Sequence, residues 1–184
     1  EGFFTVDETD RLLDAGYKYG LRPKIHAEEL AASGGVAVAV KHNALSVDHL
    51  ESMPDESMAL LKQSATMPTL LPGTSFFLNM PYGRGRRMID EGLPIALASD
   101  YNPGSTPSGD MKFIMSLACI KMRLLPEEAF NAATLNGAAA MGLSDEYGSI
   151  AVGKQAKLIL TTSIPSLAYL SYAYTSPLIR EMIL

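Results

Sequence analysis

The sequence predicts an α/β fold in which parallel strands alternate with helices. Four short apolar segments, each followed by a segment with helical periodicity, occur in series between residues 23 and 124. Parallel strands need such crossover helices, and strands that are apolar on both faces are typical of a buried parallel sheet. A β/α barrel and a doubly wound sheet both fit this pattern. Against the doubly wound sheet, no Gly-x-Gly-x-x-Gly follows any predicted strand.

The bounds of these elements follow from caps, breakers and periodicity. Thr5 or Asp7 can cap the first helix and Gly20 can close it, while Pro54 stands near the first turn of a later one. The predicted strands are residues 23–26, 45–49, 67–71 and 94–99, and the predicted helices are residues 5–20, 28–42, 54–64, 83–92 and 109–124.

The pattern changes after residue 124. A helix should begin at Leu125, with Pro126 and two acids in its first turn, and run to about Met141 before Gly142 ends it. Two short β segments are then predicted as part of a smaller β structure, and the apolar, Tyr-rich tail should pack against other parts of the protein. The β segments are residues 149–152 and 157–161, and the tail is residues 163–184.

Composition and charge exclude several classes of protein. The chain has 184 residues, 47% of them hydrophobic and 19% charged, which is ordinary for a packed domain, and its net charge is −5. A nucleic-acid-binding protein would need a basic face, so we expect none of that function. The densest basic stretch holds Arg84, Arg86 and Arg87 between glycines. We interpret it as a solvated loop, with an anion-binding loop as the alternative.

The single cysteine and the absence of long apolar stretches indicate in which cellular compartment the protein is expected. Cys119 cannot form an internal disulfide, and with no acid or His beside it we interpret it as a small core residue. No apolar stretch reaches about 18 residues and no signal-peptide pattern is present, so we expect a cytoplasmic protein without membrane contact. Because the chain starts at Glu1 and ends on Ile183-Leu184, we expect it to be a piece of a longer protein.

Three predicted strands end in side chains that can bind a metal. The first ends at His26 with Glu29 close behind, the second at His49, and the fourth at Asp100. The carboxyl edge of a parallel sheet carries the active site in such folds, and imidazole and carboxylate are the usual ligands of a catalytic zinc or iron. Each residue alone also fits a structural role. His42, at a predicted helix end, is interpreted as structural because its charge can meet the helix dipole.

The loop after the fourth strand can hold a small polar substrate. Pro103 and Gly104 stop the strand after Asp100, and the backbone N–H groups and hydroxyls that follow suit a carboxylate or an amide. The same residues also describe a well-capped turn, in which Asn102 and Ser105 satisfy the start of the next helix. Both interpretations stay open.

Several motifs carry a resemblance to a known family. His-Ala-Glu-Glu, Ser-Val-Asp-His-Leu-Glu, Leu-Leu-Pro-Gly and Ala-Ser-Asp-Tyr-Asn-Pro-Gly-Ser occur in this order at residues 26–29, 46–51, 70–73 and 98–105. Together they resemble the second half of the imidazolonepropionases, a family of the amidohydrolase superfamily. Residues 133–142 and 148–154 resemble the superfamily's junction between a barrel and a small sandwich.

The resemblance implies a fold and a reaction. Residues 1–142 would form the C-terminal half of a (β/α)8 TIM-like metal-dependent hydrolase barrel, and residues 143–184 the junction and part of a small β sandwich. The implied reaction, part of histidine degradation, is hydrolysis of the cyclic amide of 4-imidazolone-5-propanoate to N-formimino-L-glutamate by metal-activated water.

The resemblance also implies roles for single residues. His26 and Asp100 would bind one metal ion, zinc or iron, and Asp100 would also accept a proton. Glu29 would handle the water or the substrate, and His49 would steady the developing oxyanion. The polar groups of the substrate would be held by Asn102, Gly104 and Ser105 together with Glu29.

The chain departs from the family pattern in one respect. The His-x-His pair of the family's first strand is absent, and a full barrel needs roughly 250 residues. We therefore expect the parent protein to be an enzyme, and this chain by itself to be inactive. The open alternatives are another cyclic amidohydrolase, such as a hydantoinase, dihydroorotase or deaminase relative, and a non-catalytic fragment that self-associates. We expect the parent protein to be a homo-oligomer, namely a dimer.

Overall fold

The computed structural model describes residues 4–183. Strands and helices alternate over most of this range, as the sequence predicts. The helices are α1 (Val6–Tyr17), α2 (Gly35–Lys41), α3 (Asp55–Lys62), α4 (Pro72–Phe77), α5 (Gly85–Asp90), α6 (Met111–Lys121), α7 (Pro126–Ala133), α8 (Leu135–Ala140) and α9 (Ala168–Tyr172). The strands are β1 (Lys24–Ala27), β2 (Ser46–His49), β3 (Met67–Leu70), β4 (Ala96–Leu97), β5 (Leu158–Thr161) and β6 (Ile179–Ile183).

The first four strands form a parallel sheet in sequence order. β1 pairs with β2, β2 with β3 and β3 with β4, all in parallel, and each connection contains at least one helix. A doubly wound sheet reverses its strand order at a switch point, whereas a barrel adds each strand beside the previous one. The sequential order is that of a barrel, and the chain therefore forms part of one.

The two faces of the sheet differ in what covers them. A Cβ on Gly35, the first residue of α2, would lie 2.6 Å from the Cβ of Ala27, so α2 packs directly on the face of β1 that carries Ile25 and Ala27. Because side chains alternate along a strand, Lys24 and His26 lie on the opposite, inner face.

The core lies between the sheet and its helices. Apolar residues of the strands pack against apolar residues of α2, α3, α5, α6 and α7, and fully buried examples are Val36, Val47, Leu70, Met88 and Ile114. Burial of such side chains contributes about 1.5–3 kcal/mol each, so this layer holds the strand ends in fixed positions.

Helix α8 lies across the inner face near the amino ends of the strands. It contacts β3 and β4, and the amide of Asn136 in α8 donates to the carbonyl of Ile95 at 2.7 Å. The ammonium of Lys24 donates to the last carbonyl of α8, that of Ala140, at 2.9 Å and to the hydroxyl of Ser46 at 2.6 Å. Lys24 thus joins two strands to the C-terminus of α8, where a cation also meets the helix dipole favourably.

Three predictions of secondary structure are wrong in whole or in part, and one helix was not predicted. The helix predicted over residues 28–42 is helical only in α2, because the chain leaves β1 in a loop that carries acidic side chains. The helix predicted from residue 125 is broken at Thr134, whose φ of −117° and ψ of −80° are not helical, and α8 turns under the sheet. Residues 149–152 form no strand, and the sequence did not predict α4 after β3.

The C-terminal part of the chain, from β5 onward, forms a second, small sheet. β5 and β6 pair antiparallel with a bulge at Leu160 and Thr161, while α9 packs on α6 and α7. The prediction that the tail packs on other parts of the chain is therefore confirmed for α9. The division into units at residue 142 stays a prediction. Among residues 4–183, no helix is long and apolar enough to cross a membrane.

Three residue groups with structural interpretations lie where such roles require. Half-buried Cys119 packs against the core, and the ring of His42 contacts Asp10 at 2.8 Å. Arg86 and Arg87 lie in α5 and not in a loop, but the arginines face carboxylates at the surface, as the solvated interpretation requires. Arg87 and Arg84, in that order, lower the pKa of Asp55 to about 2.

The packing of α2 on β1 gives a stability prediction. We expect Gly35→Ala to lower the free energy of unfolding by about 1–3 kcal/mol, because the new methyl would overlap that of Ala27. Gly137→Ala is the matched control, since its methyl would meet its nearest atom, the carbonyl oxygen of Ala132, at an ordinary 3.6 Å. Denaturant unfolding of the protein measures both, and equal midpoints for the two variants would contradict the packing argument.

Candidate metal and catalytic centre

The predicted strand-end residues meet at one place. His26 lies in β1, His49 is the last residue of β2, and Asp100 follows β4 after a short extended segment. One ligand atom from each of these three residues lies within 4.8 Å of the other two. The ring centroids of His26 and His49 are 4.9 Å apart. The proximity expected from the parallel sheet is therefore present.

The backbone around the centre adopts an unusual conformation. Glu28, His49, Leu50 and Asp100 have positive φ angles of 55°, 85°, 72° and 52°. Residues other than glycine adopt this left-handed backbone region at a cost of about 1–3 kcal/mol each, and such residues cluster at functional sites. Here the positive angles turn the chain sharply at the edge of the sheet; the side chains of His49 and Asp100 reach the centre, whereas that of Leu50 packs in the core.

Asp100 is held by hydroxyl groups on one side. The hydroxyl of Thr74, a fully buried residue in the first turn of α4, donates to Asp100 Oδ2 at 2.8 Å, and that of Ser105 donates to the same oxygen at 2.7 Å. Thr106 contacts the Thr74 hydroxyl at 3.1 Å. Because both donors engage Oδ2, the lone pairs of Oδ1 remain available to an ion or a proton.

Asn102 organises the loop that follows. Its Oδ1 accepts from the backbone N–H groups of Gly104 at 2.8 Å and Ser105 at 2.9 Å, and its Nδ2 donates to the carbonyl of Asp100 at 2.9 Å. The loop is thus a capped turn, but the expectation that Asn102 and Ser105 satisfy the start of the next helix is wrong, because α6 begins at Met111 and is capped by Asp110. A role of these three loop residues in holding a substrate stays a prediction.

His49 lies between two carboxylates. Its ring is 4% exposed, with Nε2 3.8 Å from Glu29 Oε2 and Nδ1 3.6 Å from Glu51 Oε2. Burial by itself lowers the pKa of His49, but Glu51, and then Glu29 and Asp100, outweigh burial and leave that pKa above its ordinary value. The centre therefore favours the charged imidazolium more than water does.

The donor set fits a zinc-type ion. Imidazole and carboxylate are nitrogen and oxygen ligands of the kind that hold catalytic zinc, and His26 and Asp100 supply one of each. Asp100 keeps one oxygen outside its hydroxyl contacts, and His26 is accessible on the inner face of the sheet. These features agree with a metal centre at the carboxyl edge.

Comparison with known proteins identifies the family. The sequence profile of the amidohydrolase family matches residues 9–176. The chain belongs to the amidohydrolase family. Its resemblance to the imidazolonepropionases is also confirmed: the chain is 52% identical over 181 residues to the "Imidazolonepropionase" of Flavobacterium psychrophilum and 53% identical over 183 residues to that of Flavobacterium johnsoniae.

This amidohydrolase chain is shorter than those relatives. The matches cover 98% and 100% of the chain but only 44% of each relative, so the chain spans less than half of their length. The "Imidazolonepropionase" of Caldanaerobacter subterraneus is 45% identical over 95% of the chain and 42% of its own length.

Solved structures share the fold. An adenosine deaminase from Xanthomonas campestris with bound zinc has a TM-score of 0.80 at 19% identity, over 98% of this chain and 48% of its own. A mutant of atrazine chlorohydrolase from Arthrobacter aurescens, complexed with zinc and atraton, has a TM-score of 0.79 at 14% identity, over 98% of this chain and 46% of its own. At such identities the likeness concerns the fold alone.

Sequence reasoning missed two buried supports of the centre. Thr74 received no role, and Glu51 stood in a family motif without one. A sequence signal existed for Thr74, because the third strand is followed by Pro72-Gly73 and then by the polar pair Thr74-Ser75. The position of Glu51 depends on the sharp turn after His49, and no local sequence pattern predicts that turn.

The contact between Thr74 and Asp100 gives a testable prediction. We expect Thr74→Val, a change of similar shape, to weaken zinc binding about ten- to a hundred-fold, because Asp100 loses one of the two donors that orient it. Competition with a chromophoric chelator measures the affinity of the full-length protein for zinc. Thr66→Val is the control, since that buried hydroxyl has no partner among the described residues. Equal zinc affinity in both variants would remove the role given to Thr74.

Proposed function

We propose that the parent protein hydrolyses the ring amide of 4-imidazolone-5-propanoate to N-formimino-L-glutamate, a step of histidine degradation. The observation that carries the proposal is the meeting of His26, His49 and Asp100 at the carboxyl edge of the sheet. The relatives' name supplies the substrate, and their identity of 52–53% over nearly the whole chain supports it. Because the chain spans less than half of them, activity belongs to the parent protein.

His26 and Asp100 would hold the metal ion. Bound zinc or iron supplies a nucleophile from water at neutral pH and polarises the ring carbonyl. Asp100 Oδ1 accepts the proton of the attacking water, while Thr74 and Ser105 keep the other oxygen fixed. The fixed carboxylate needs no reorganisation when the proton moves.

Glu29 and His49 would act on the substrate's carbonyl oxygen and ring nitrogen or on the water. The charged imidazolium that the carboxylates favour donates from Nε2 to the developing oxyanion. Glu29, whose Oε2 lies 3.8 Å from that nitrogen, orients the ring N–H of the substrate or the water. Asn102, Gly104 and Ser105 would hold the polar groups of the substrate at the mouth of the site.

Other properties of the parent protein are part of the same proposal. The metal is zinc or iron, the protein is cytoplasmic, and it forms a homo-dimer that binds a small-molecule substrate. Residues 1–142 belong to the barrel and residues 143–184 to the junction and the small sandwich. Light scattering of the full-length protein measures the oligomeric state.

The reaction is tested on the full-length protein. We expect it to consume imidazolonepropanoate, and Asp100→Asn to lower kcat about 10²–10⁴-fold because the proton acceptor is lost. Asp145→Asn removes a charge from an exposed site and should leave the rate unchanged. Hydantoin, dihydroorotate, adenosine and guanine are the competing substrates. Turnover of one of these in place of imidazolonepropanoate would refute the substrate and favour another cyclic amidohydrolase.

The isolated chain of residues 1–184 gives a separate prediction. We expect it to show no hydrolysis of imidazolonepropanoate, because it supplies only the His26 and Asp100 side of the metal site and part of a barrel. The same absorbance assay, run beside the full-length protein, measures it. Turnover by the isolated chain at a rate near that of the full-length protein would show that these residues suffice.

A further inference from the structure

Glu51 is a buried carboxylate that the proposed reaction does not use. Its side chain is only 1% exposed, although it follows the end of β2 by just two residues. One oxygen, Oε1, accepts from the hydroxyl of Ser75 at 3.2 Å. The other, Oε2, lies 3.6 Å from His49 Nδ1, on the side of the ring away from Glu29.

His49 Nδ1 and Glu51 Oε2 have no other partner. Both atoms are buried, and neither makes a hydrogen bond to any described residue. A buried polar atom without a partner is costly, and a charge-assisted N–H···O⁻ bond has a length of about 2.7–2.9 Å. A small rotation of either side chain closes the remaining gap, so each atom is the natural partner of the other.

The backbone turn at the end of β2 creates this pair. In a continuous strand, the side chains of His49 and Glu51 would stand side by side, roughly 6.6 Å apart along one face. The positive φ angles of His49 and Leu50, 85° and 72°, instead fold the chain back. The fully buried side chain of Leu50 anchors that turn in the core.

A carboxylate behind the ring decides which nitrogen carries a proton. An ionised carboxylate only accepts hydrogen bonds, so its partner must be Nδ1–H. Nε2, 3.8 Å from Glu29 Oε2, is then the nitrogen that gains the second proton of the imidazolium and can donate it to the oxyanion of the proposed reaction. We propose that Glu51 is a positioning residue that fixes the tautomer and the orientation of His49. Its effect on catalysis rests on the proposed function, whereas its effect on the tautomer does not.

The first experiment reads the tautomer directly. Nitrogen-15 NMR of the zinc-loaded full-length protein, labelled at histidine, is recorded at a pH where the His49 ring is neutral, and His49→Gln assigns the signals. We expect Nδ1 to be protonated and Nε2 to be bare. A wild-type ring protonated on Nε2 alone would overturn the proposal without any Glu51 variant.

The second experiment removes the carboxylate. Glu51→Gln keeps the size of the side chain but can donate or accept, so we expect both tautomers of His49, a kcat about ten- to a hundred-fold lower and a nearly unchanged KM. Glu51→Asp keeps the acceptor and should restore the Nδ1–H tautomer and part of the rate. Glu56→Gln is the control, because that glutamate is exposed on α3.

The outcomes separate positioning from structure and from the proposed reaction. If His49 keeps its wild-type tautomer in the Glu51→Gln protein, the proposal is overturned. This holds both when kcat is unchanged and when kcat falls together with the melting temperature. If the full-length protein does not hydrolyse imidazolonepropanoate, the proposed function fails. The NMR result still decides the role of Glu51 in that case.

Discussion

Parallel pairing of β1 to β4 is the constraint on which the site depends. Because the four strands run in one direction, their carboxyl ends lie at a single edge, and residues far apart in sequence meet there. The helices that pack on the outer face fix the position of each strand along its own axis. The contact of Gly35 with Ala27 shows how closely α2 approaches β1. A shift of one strand would separate His26 from Asp100.

Asp100 and His49 each have a buried polar group behind them. Thr74 and Ser105 engage one oxygen of Asp100 and leave the other oxygen free. Glu51 lies behind the buried ring of His49 and itself accepts from Ser75. Thr74 and Ser75 both come from the first turn of α4, so one short helix supports the aspartate and the histidine at once. In this way the centre is ordered by residues that need not touch a substrate.

The two ends of the partial barrel are built differently. At the carboxyl edge, positive φ angles concentrate conformational strain at four residues, of which His49 and Asp100 reach the centre. At the other end, α8 lies across the inner face, and Lys24 satisfies the C-terminal carbonyl of α8 while holding Ser46. Conformational strain is thus found at the edge that carries the candidate site, and the other end is held by hydrogen bonds between strands and helix.

The sequence by itself determined the class of fold and the strand-end residues that meet in the candidate site. Apolar segments with crossover helices imply a parallel sheet, and a parallel sheet places the strand ends that carry His26, His49 and Asp100 together. Motif order identified the family before any coordinates. Strand order, the break at Thr134 and the positions of Thr74 and Glu51 were decided only by the tertiary structure. Strand order and the helix break follow from packing between residues far apart in sequence. The positions of the two buried supports follow from sharp turns at non-glycine residues. Neither long-range packing nor such turns leave a local pattern in the sequence.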